Sequence, residues 1–181
     1  MSENKCALIL LGAGGSARMH EPKQLLPWKN RSNLLEHACL TCLASQAVWN
    51  IFVLGANREN ILQASPWLQK GLEQDICPTD HIAKNRRFSV AFNKNWASGM
   101  ASSLQIGLGK LVNLFPQEDT LDCAAVCLAD LPLLKTETIN NIIKASDNLT
   151  QAERRNTIIV PIWQGRRGHP VIFGRDFWPE L

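Results

Sequence analysis

Residues 8–28 read LILLGAGGSARMHEPKQLLPW, and the reading of this stretch decides the fold. An apolar run, Ala7 to Leu11, stops at Gly12. Gly14, Gly15 and Ser16 follow, with Arg18 and Lys23 close behind. A buried strand running into a glycine-rich loop brings backbone N–H groups together with no side chains in the way. Such a loop can wrap phosphate oxygens, and two nearby cations can neutralise them. The competing reading is a strand-to-helix turn that is merely rich in glycine.

Two familiar phosphate loops do not fit. No Gly-Lys-Ser/Thr follows Gly12, so the Walker A pattern is absent. The residue three after Gly14 is Ala17, so the G-x-G-x-x-G dinucleotide fingerprint is absent as well.

Outward from this stretch, strands and helices alternate. The pattern predicts strands over Cys6–Leu11, Ile51–Leu54 and Cys123–Ala129, and Arg87–Phe92 shows some strand alternation. Helices are predicted from Ser32 or Asn33 to about Gln46, over Arg58–Trp67, over Ala101–Leu114 and over Thr136–Ala145. Two further strands, Thr157–Ile162 and Pro170–Phe173, flank a Gly-Arg-Arg-Gly turn. Continuously apolar strands alternating with helices predict a mostly parallel sheet covered on both faces. Functional loops in such a sheet lie beyond the carboxyl ends of its strands. Gly12 and Asp130 both hold that position, so their segments are expected to meet at one edge.

Composition bounds the rest. The chain has 181 residues, 45% hydrophobic and 19% charged, enough for one domain with a sizeable core. A net charge of +3 with no basic block beyond Arg86-Arg87 argues for polyanionic small molecules and against nucleic acid. No apolar stretch reaches the roughly 20 residues that span a bilayer, so no membrane partner is expected. Ser2 to Lys5 leads straight into a strand, without a secretory leader, and a cytoplasmic location is expected. Six cysteines in such a chain read as reduced thiols. Cys39 and Cys42 share one face of a predicted helix, which favours buried thiols over a redox or metal pair.

Asp130 follows the strand Val126-Cys127-Leu128-Ala129. A carboxylate there, beside a phosphate loop, is a natural ligand for magnesium, which takes one or two carboxylates plus substrate phosphates. The plainer alternative is an aspartate that caps a turn. Arg18 and Lys23 can steady a polyphosphate, the one by gripping two oxygens and the other as a mobile point charge. Gly99, Ser102 and Ser103 open a predicted helix, where free N–H groups attract anions; a simple helix cap explains the serines almost as well. His20, His37 and His81 have no evident partner.

The order L-x-A-G-x-S-x-R-M, then P-K-Q-L-L-P-W, resembles the start of the molybdenum cofactor nucleotidyltransferases, in the MobA-like NTP transferase superfamily. The cytidylyltransferase branch is the closer match. Three later segments are similar to that family in the same order: Ser98-Gly99-Met100-Ala101-Ser102-Ser103-Leu104, Leu128-Ala129-Asp130-Leu131-Pro132 and Gly168-His169-Pro170-Val171. The resemblance implies a single-domain Rossmann-like three-layer sandwich of the nucleotide-diphospho-sugar transferase type over residues 1–181. It implies transfer of CMP from CTP to a molybdopterin-type molybdenum cofactor, with release of pyrophosphate. Arg18, Lys23 and Asp130 are then the catalytic residues, with Asp130 holding Mg2+ or Mn2+. Leu11, Gly12, Ala13, Gly14, Gly15, Ser16, Arg18, Lys23, Gly99, Ser102 and Ser103 bind the nucleotide. Gly168, His169 and Pro170 face the pterin.

Two departures stand beside this. Guanylyl-transferring relatives begin the loop L-A-G-G and cytidylyl-transferring ones carry A-A-G. Here Ala13 agrees with the cytidylyl type and Gly12 with neither, so CTP is preferred to GTP. Relatives also continue beyond the position of Phe177 with a D-x-D-T-P motif that supplies a second acidic metal ligand, whereas this sequence stops at Leu181. The nucleotidyltransferase domain is therefore expected to be C-terminally short, with its activity in question. Two alternatives stay open: transfer to another phosphorylated acceptor, and a non-catalytic nucleotide- or molybdopterin-binding chaperone that hands the cofactor to a molybdenum enzyme.

Overall fold

The computed structural model describes residues 5–16, 21–29, 31–73, 87–117 and 120–181. Eight strands run in chain order: β1 (Cys6–Gly12), β2 (Asn50–Leu54), β3 (Phe88–Phe92), β4 (Cys123–Leu128), β5 (Ile158–Ile159), β6 (Ile162–Trp163), β7 (Arg166–Arg167) and β8 (Val171–Gly174). Six of them form one sheet in the order β3-β2-β1-β4-β8-β5, and β6 and β7 pair separately as a hairpin. β1, β2, β3 and β4 are mutually parallel, while β8 runs antiparallel to both β4 and β5. The predicted mostly parallel sheet is thus present.

Side-chain alternation along the strands builds two cores. From β1, Cys6, Leu8 and Leu10 face one layer, with Phe52, Cys123, Ala125 and Cys127 beside them. That layer is covered by α1 (Leu34–Leu43), α2 (Arg58–Ala64), α3 (Trp67–Glu73) and α5 (Thr136–Asp147). Ala7, Ile9 and Leu11 face the opposite layer, under α4 (Met100–Leu114) and the final 3-10 turn that carries Trp178. Two side-chain directions with a period of two therefore give three layers. α4 packs closely because Gly107 has no side chain: a Cβ there would lie 2.7 Å from Cγ2 of Ile9.

Several boundaries differ from the sequence expectation, each for a local reason. α1 starts as predicted, with Asn33 accepting from the Glu36 N–H at 2.8 Å. It ends at Leu43 rather than near Gln46, because Val48 and Trp49 already bond to β1. The predicted helix Arg58–Trp67 is two helices. Ser65 precedes Pro66 and leaves the helical region, at φ −138 and ψ 71. The strand expected over Thr157–Ile162 is interrupted at Pro161, and β5 and β6 lie on either side of it. Arg166 and Arg167 are strand rather than turn. The chain reverses at Gln164 and Gly165, with φ of 48 and 74, as in a tight hairpin. The short α6 (Gln151–Arg155) was not expected, although Thr150 and Glu153 form a full capping box.

α6 is anchored from below. Arg154 and Asp122 are both buried and pair at 3.0 Å, and Arg154 also donates to the carbonyls of Ser146 and Leu149. The pair joins α6 to the start of β4, and loss of either partner would leave a buried charge uncompensated. Among the described residues, no helix is long and apolar enough to cross a membrane.

Cys6, Cys39, Cys42, Cys123 and Cys127 are buried thiols outside any disulfide, so the C-x-x-C of α1 belongs to the core. The Cys6 thiol is hydrogen-bonded to Cys123 on the neighbouring strand, and that of Cys42 in α1 to Cys127 in β4. That bond, reinforced by burial, pushes Cys6 and Cys42 above the usual thiol range, and burial does the same to Cys39. Thiolate is the reactive form. Iodoacetamide at pH 8 is therefore expected to leave Cys6, Cys39 and Cys42 unmodified in the native protein and to alkylate them after denaturation, as read by peptide mass spectrometry. Native-state labelling of Cys39 or Cys42 would contradict this burial.

Candidate functional site

β1 is the point where the sheet's connection order reverses, since β2 lies on one edge of it and β4 on the other. Loops that leave such a point part in opposite directions and open a crevice. The last paired residues are Leu11 and Leu128, and the Ala129 N–H still donates to the Leu11 carbonyl at 3.0 Å. Beyond that bond the chains separate around a cavity of about 360 Å³. Leu11, Gly12, Ala13, Gly14, Gly15 and Ser16 line it, together with Lys23, Gly99, Ser103 and Asp130. Four segments quoted from the sequence were expected to build the site, and three of them meet here.

The glycine loop is held open by Gln24, which sequence reasoning missed. This side chain is buried, and its amide donates to the carbonyls of Gly12 and Gly14. Its oxygen accepts from Ser16 Oγ at 3.3 Å, and the Ser16 hydroxyl accepts from the Lys23 N–H at 2.9 Å. The loop is thereby closed on itself, with carbonyls turned to Gln24. Among the described residues, no carbonyl accepts from the N–H groups of Gly14, Gly15 or Ser16. Ser16 has φ 53, the left-handed conformation that curls successive N–H groups into an anion-binding concavity. Among the described residues, and apart from its two chain neighbours, no atom lies within 4 Å of where a Gly14 Cβ would be, so that side of the loop is open.

Asp130 leaves β4 at the opposite rim and is exposed. Among the described residues, nothing pairs with its carboxylate. No three His, Cys, Asp or Glu side chains cluster as a ready-made metal cage among those residues. The two serines of α4 behave differently from one another. Ser103 lines the cavity, yet its hydroxyl accepts from Asn93 at 2.9 Å. Ser102 does not line it, and its hydroxyl is occupied by Asn93 at 2.8 Å and the Gly99 carbonyl at 2.8 Å. Buried Asn93 thus ties the end of β3 to the first turn of α4, a second role invisible in the motif.

Gly168, His169 and Pro170 also stay outside the cavity lining. The register Val126–Val171 sets them alongside the carboxyl end of β4, one strand from Asp130. A ring nitrogen of His169 lies 3.4 Å from the Val126 carbonyl. His37, expected to lack a partner, sits with Nε2 3.1 Å from the Pro132 carbonyl. Arg18, His20 and His81 lie outside the described residues.

The Gln24 brace has a measurable consequence. Gln24→Ala leaves two carbonyls without their donor, at a cost of about 1–3 kcal/mol. Urea unfolding is expected to show that loss, and titration calorimetry a weakened affinity for nucleoside triphosphate. Unchanged stability and unchanged affinity would remove Gln24 from the site.

Comparison with known proteins places this architecture. A family profile, the MobA-like NTP transferase domain, matches residues 8–181. Among solved structures, Rv0371c from Mycobacterium tuberculosis H37Rv is 20% identical with a TM-score of 0.68, over 99% of this chain and 76% of that one. Rv0371c has also been solved as a complex with manganese. The nucleotidyl transferase Mth528 from Methanothermobacter thermautotroptrophicus is 18% identical with a TM-score of 0.65, over 98% and 75%. A cytidylyltransferase from Leptospira borgpetersenii serovar Hardjo-bovis is 17% identical with a TM-score of 0.59, over 98% and 63%. No curated protein matches the chain. At these identities the solved structures establish the fold, an α/β sandwich of the nucleotide-diphospho-sugar transferase type. The profile spans the chain from the first strand onward, and the protein therefore belongs to the MobA-like NTP transferase family of nucleotidyltransferases.

Proposed function

We propose that this protein transfers CMP from CTP, in preference to GMP from GTP, to a molybdopterin-type molybdenum cofactor. One observation carries the reading: the glycine loop and the carboxylate of Asp130 line the same cavity. In the reaction, a terminal phosphate oxygen of the acceptor attacks the α-phosphorus of the nucleotide. The bond from that phosphorus to the bridging oxygen breaks, and pyrophosphate leaves with the electron pair. The protein need form no covalent bond, so positioning and charge stabilisation carry the catalysis.

The chain's own groups divide that work. The free N–H groups of Gly14, Gly15 and Ser16 cradle phosphate oxygens. Lys23, at the rim, answers the charge of the outer phosphates, and Arg18 follows from the motif as its partner. The residues fit a divalent cation. One carboxylate lines the cavity, and a hard cation such as Mg2+ or Mn2+ completes its shell with phosphate oxygens and water. The manganese complex of Rv0371c agrees with that choice of metal. Once bound, such an ion lowers the charge repulsion between the triphosphate and an anionic acceptor. On the acceptor side, Gly168, His169 and Pro170 run beside β4, and the hairpin β6–β7 precedes them.

Asp130→Asn keeps the side chain's size and removes its charge. Pyrophosphate release with CTP, divalent metal and molybdenum cofactor is expected to fall at least about a hundredfold, by analogy with loss of one strong electrostatic stabiliser. Folding should not change, because the group is exposed. Wild-type protein that binds CTP tightly yet releases no pyrophosphate with any phosphorylated acceptor would instead identify a cofactor chaperone. Turnover that is faster with another acceptor, under any of the four nucleoside triphosphates, would reassign the second substrate.

Lys23→Ala and Arg18→Ala are expected to weaken CTP more than CMP, since both cations answer the outer phosphates. Together they should cost less than the sum of the two separate losses, because they share one ligand. Calorimetry showing equal losses for CTP and CMP would move both cations off the triphosphate.

A further inference from the structure

The nucleotide cavity has two chemically different ends. On one side of β1 stands Asp130, after β4, and on the other stand the segments that follow β2 and β3. Neighbouring strands lie about 4.8 Å apart, so the ends of β2 and β4 are separated by about 10 Å, the reach of a mononucleotide from base to phosphates. Among the described residues, the far end carries no charged lining residue. Trp96, Ala97 and Met100 form it, with Ala13 between them and the glycine loop.

Trp96 is built into this end rather than hanging from it. It opens the 3-10 turn Trp96–Ser98, whose last bond runs from the Gly99 N–H to the Trp96 carbonyl at 3.2 Å. Its Cβ lies 2.7 Å from where a Gly55 Cβ would be, and its ring 2.6 Å from where a Gly15 Cβ would be. The indole thus fills the space at Gly15 in the glycine loop, while the space at Gly55, after β2, is taken by the Trp96 Cβ and by Ala13. Packed against both, the residue is still 37% exposed and lines the cavity. A flat, partly desolvated aromatic side chain, packed on the glycine loop at Gly15 and lining the same cavity, suits a planar heteroaromatic ring.

From this we infer that the indole of Trp96 is the platform on which the nucleobase stacks. The inference rests on the reading of the cavity as a nucleoside triphosphate site. It assigns the two ends of the ligand: phosphates between the glycine loop and Asp130, base against Trp96. Stacking is tolerant of base identity because every base has a π-face. Trp96 therefore supplies affinity for nucleosides in general, and the choice between CTP and GTP falls to other groups.

The test compares Trp96→Ala, Trp96→Leu and Trp96→Phe with wild type by calorimetry, using CTP, CMP, GTP and inorganic tripolyphosphate. Base stacking by alanine substitution corresponds to a loss of about 5- to 150-fold. Trp96→Ala is expected to lose affinity in that range for CTP, CMP and GTP alike, with tripolyphosphate unchanged. Trp96→Leu fills the space beside Gly15 and Gly55 without a π-face and should resemble the alanine variant, while Trp96→Phe should recover most of the affinity. If the alanine variant does not fold, the leucine and phenylalanine pair gives the same contrast. Equal weakening of tripolyphosphate and CTP would overturn the inference and make the indole a prop for the loop. Undiminished nucleotide affinity in Trp96→Leu would also overturn it and put the base elsewhere. Wild-type protein that binds tripolyphosphate but gains nothing from the nucleoside would leave the phosphate site standing and overturn the stacking role. Failure of wild type to bind any of the four ligands would overturn the nucleotide reading itself, and this inference with it.

Discussion

Strand β1 is hydrogen-bonded on both edges and covered by packed side chains on both faces, and that enclosure organises the rest of the molecule. A strand so placed can carry only apolar residues, because a buried polar group without a partner costs free energy. Polar chemistry must begin where the strand ends. The same strand is where the sheet order reverses, so the space beyond its end is a crevice with walls already supplied by β2 and β4. The loop after β1 and the aspartate after β4 meet there because their strands are paired to the last residue.

What the crevice can bind follows from how its loop is closed. An open glycine loop has freedom to lose on binding, and that loss subtracts from affinity. Here Gln24, Ser16 and Lys23 hold the loop in one shape before any ligand arrives. The Gly12 and Gly14 carbonyls are taken up by Gln24, and among the described residues no carbonyl accepts from the N–H groups of Gly14, Gly15 or Ser16, which is the polarity that an anion requires. Nucleotidyl transfer asks mainly for alignment and charge neutralisation, and a preorganised loop facing the Asp130 carboxylate supplies both kinds of group. The apolar wall at Trp96 completes the match to a ligand that is anionic at one end and flat at the other.

Much of this was legible in the sequence, for physical reasons that apply residue by residue. Ala7 to Leu11 could only be a buried strand, and Gly12 and Asp130 could be assigned to strand ends because the apolar runs stop there. Asn33 announced a helix cap, and the crowded apolar neighbours of Cys39 and Cys42 announced buried thiols. Groups that act across the fold were not legible. Gln24 lies between Lys23 and Leu25 in its motif, and its partners Gly12 and Gly14 are ten or more residues away, so nothing local marked it as the brace. Asn93 and Trp96 act through contacts with α4 and with Gly15 and Gly55, which only the assembled sheet brings near. Arg154 and Asp122 are 32 residues apart, and each alone reads as a surface charge. The capping box at Thr150 and Glu153 was present in the sequence and marked α6, yet that helix was overlooked.

The central claim is that one cavity, between the ends of β1 and β4, holds the triphosphate. The measurement that meets it most directly is a crystal structure of the protein with CTP and manganese, the metal located by its anomalous scattering. The account predicts manganese on the Asp130 carboxylate, triphosphate oxygens on the N–H groups of Gly14, Gly15 and Ser16, and the cytosine ring against Trp96. Nucleotide bound away from the glycine loop, or manganese held by other residues with Asp130 left free, would contradict it.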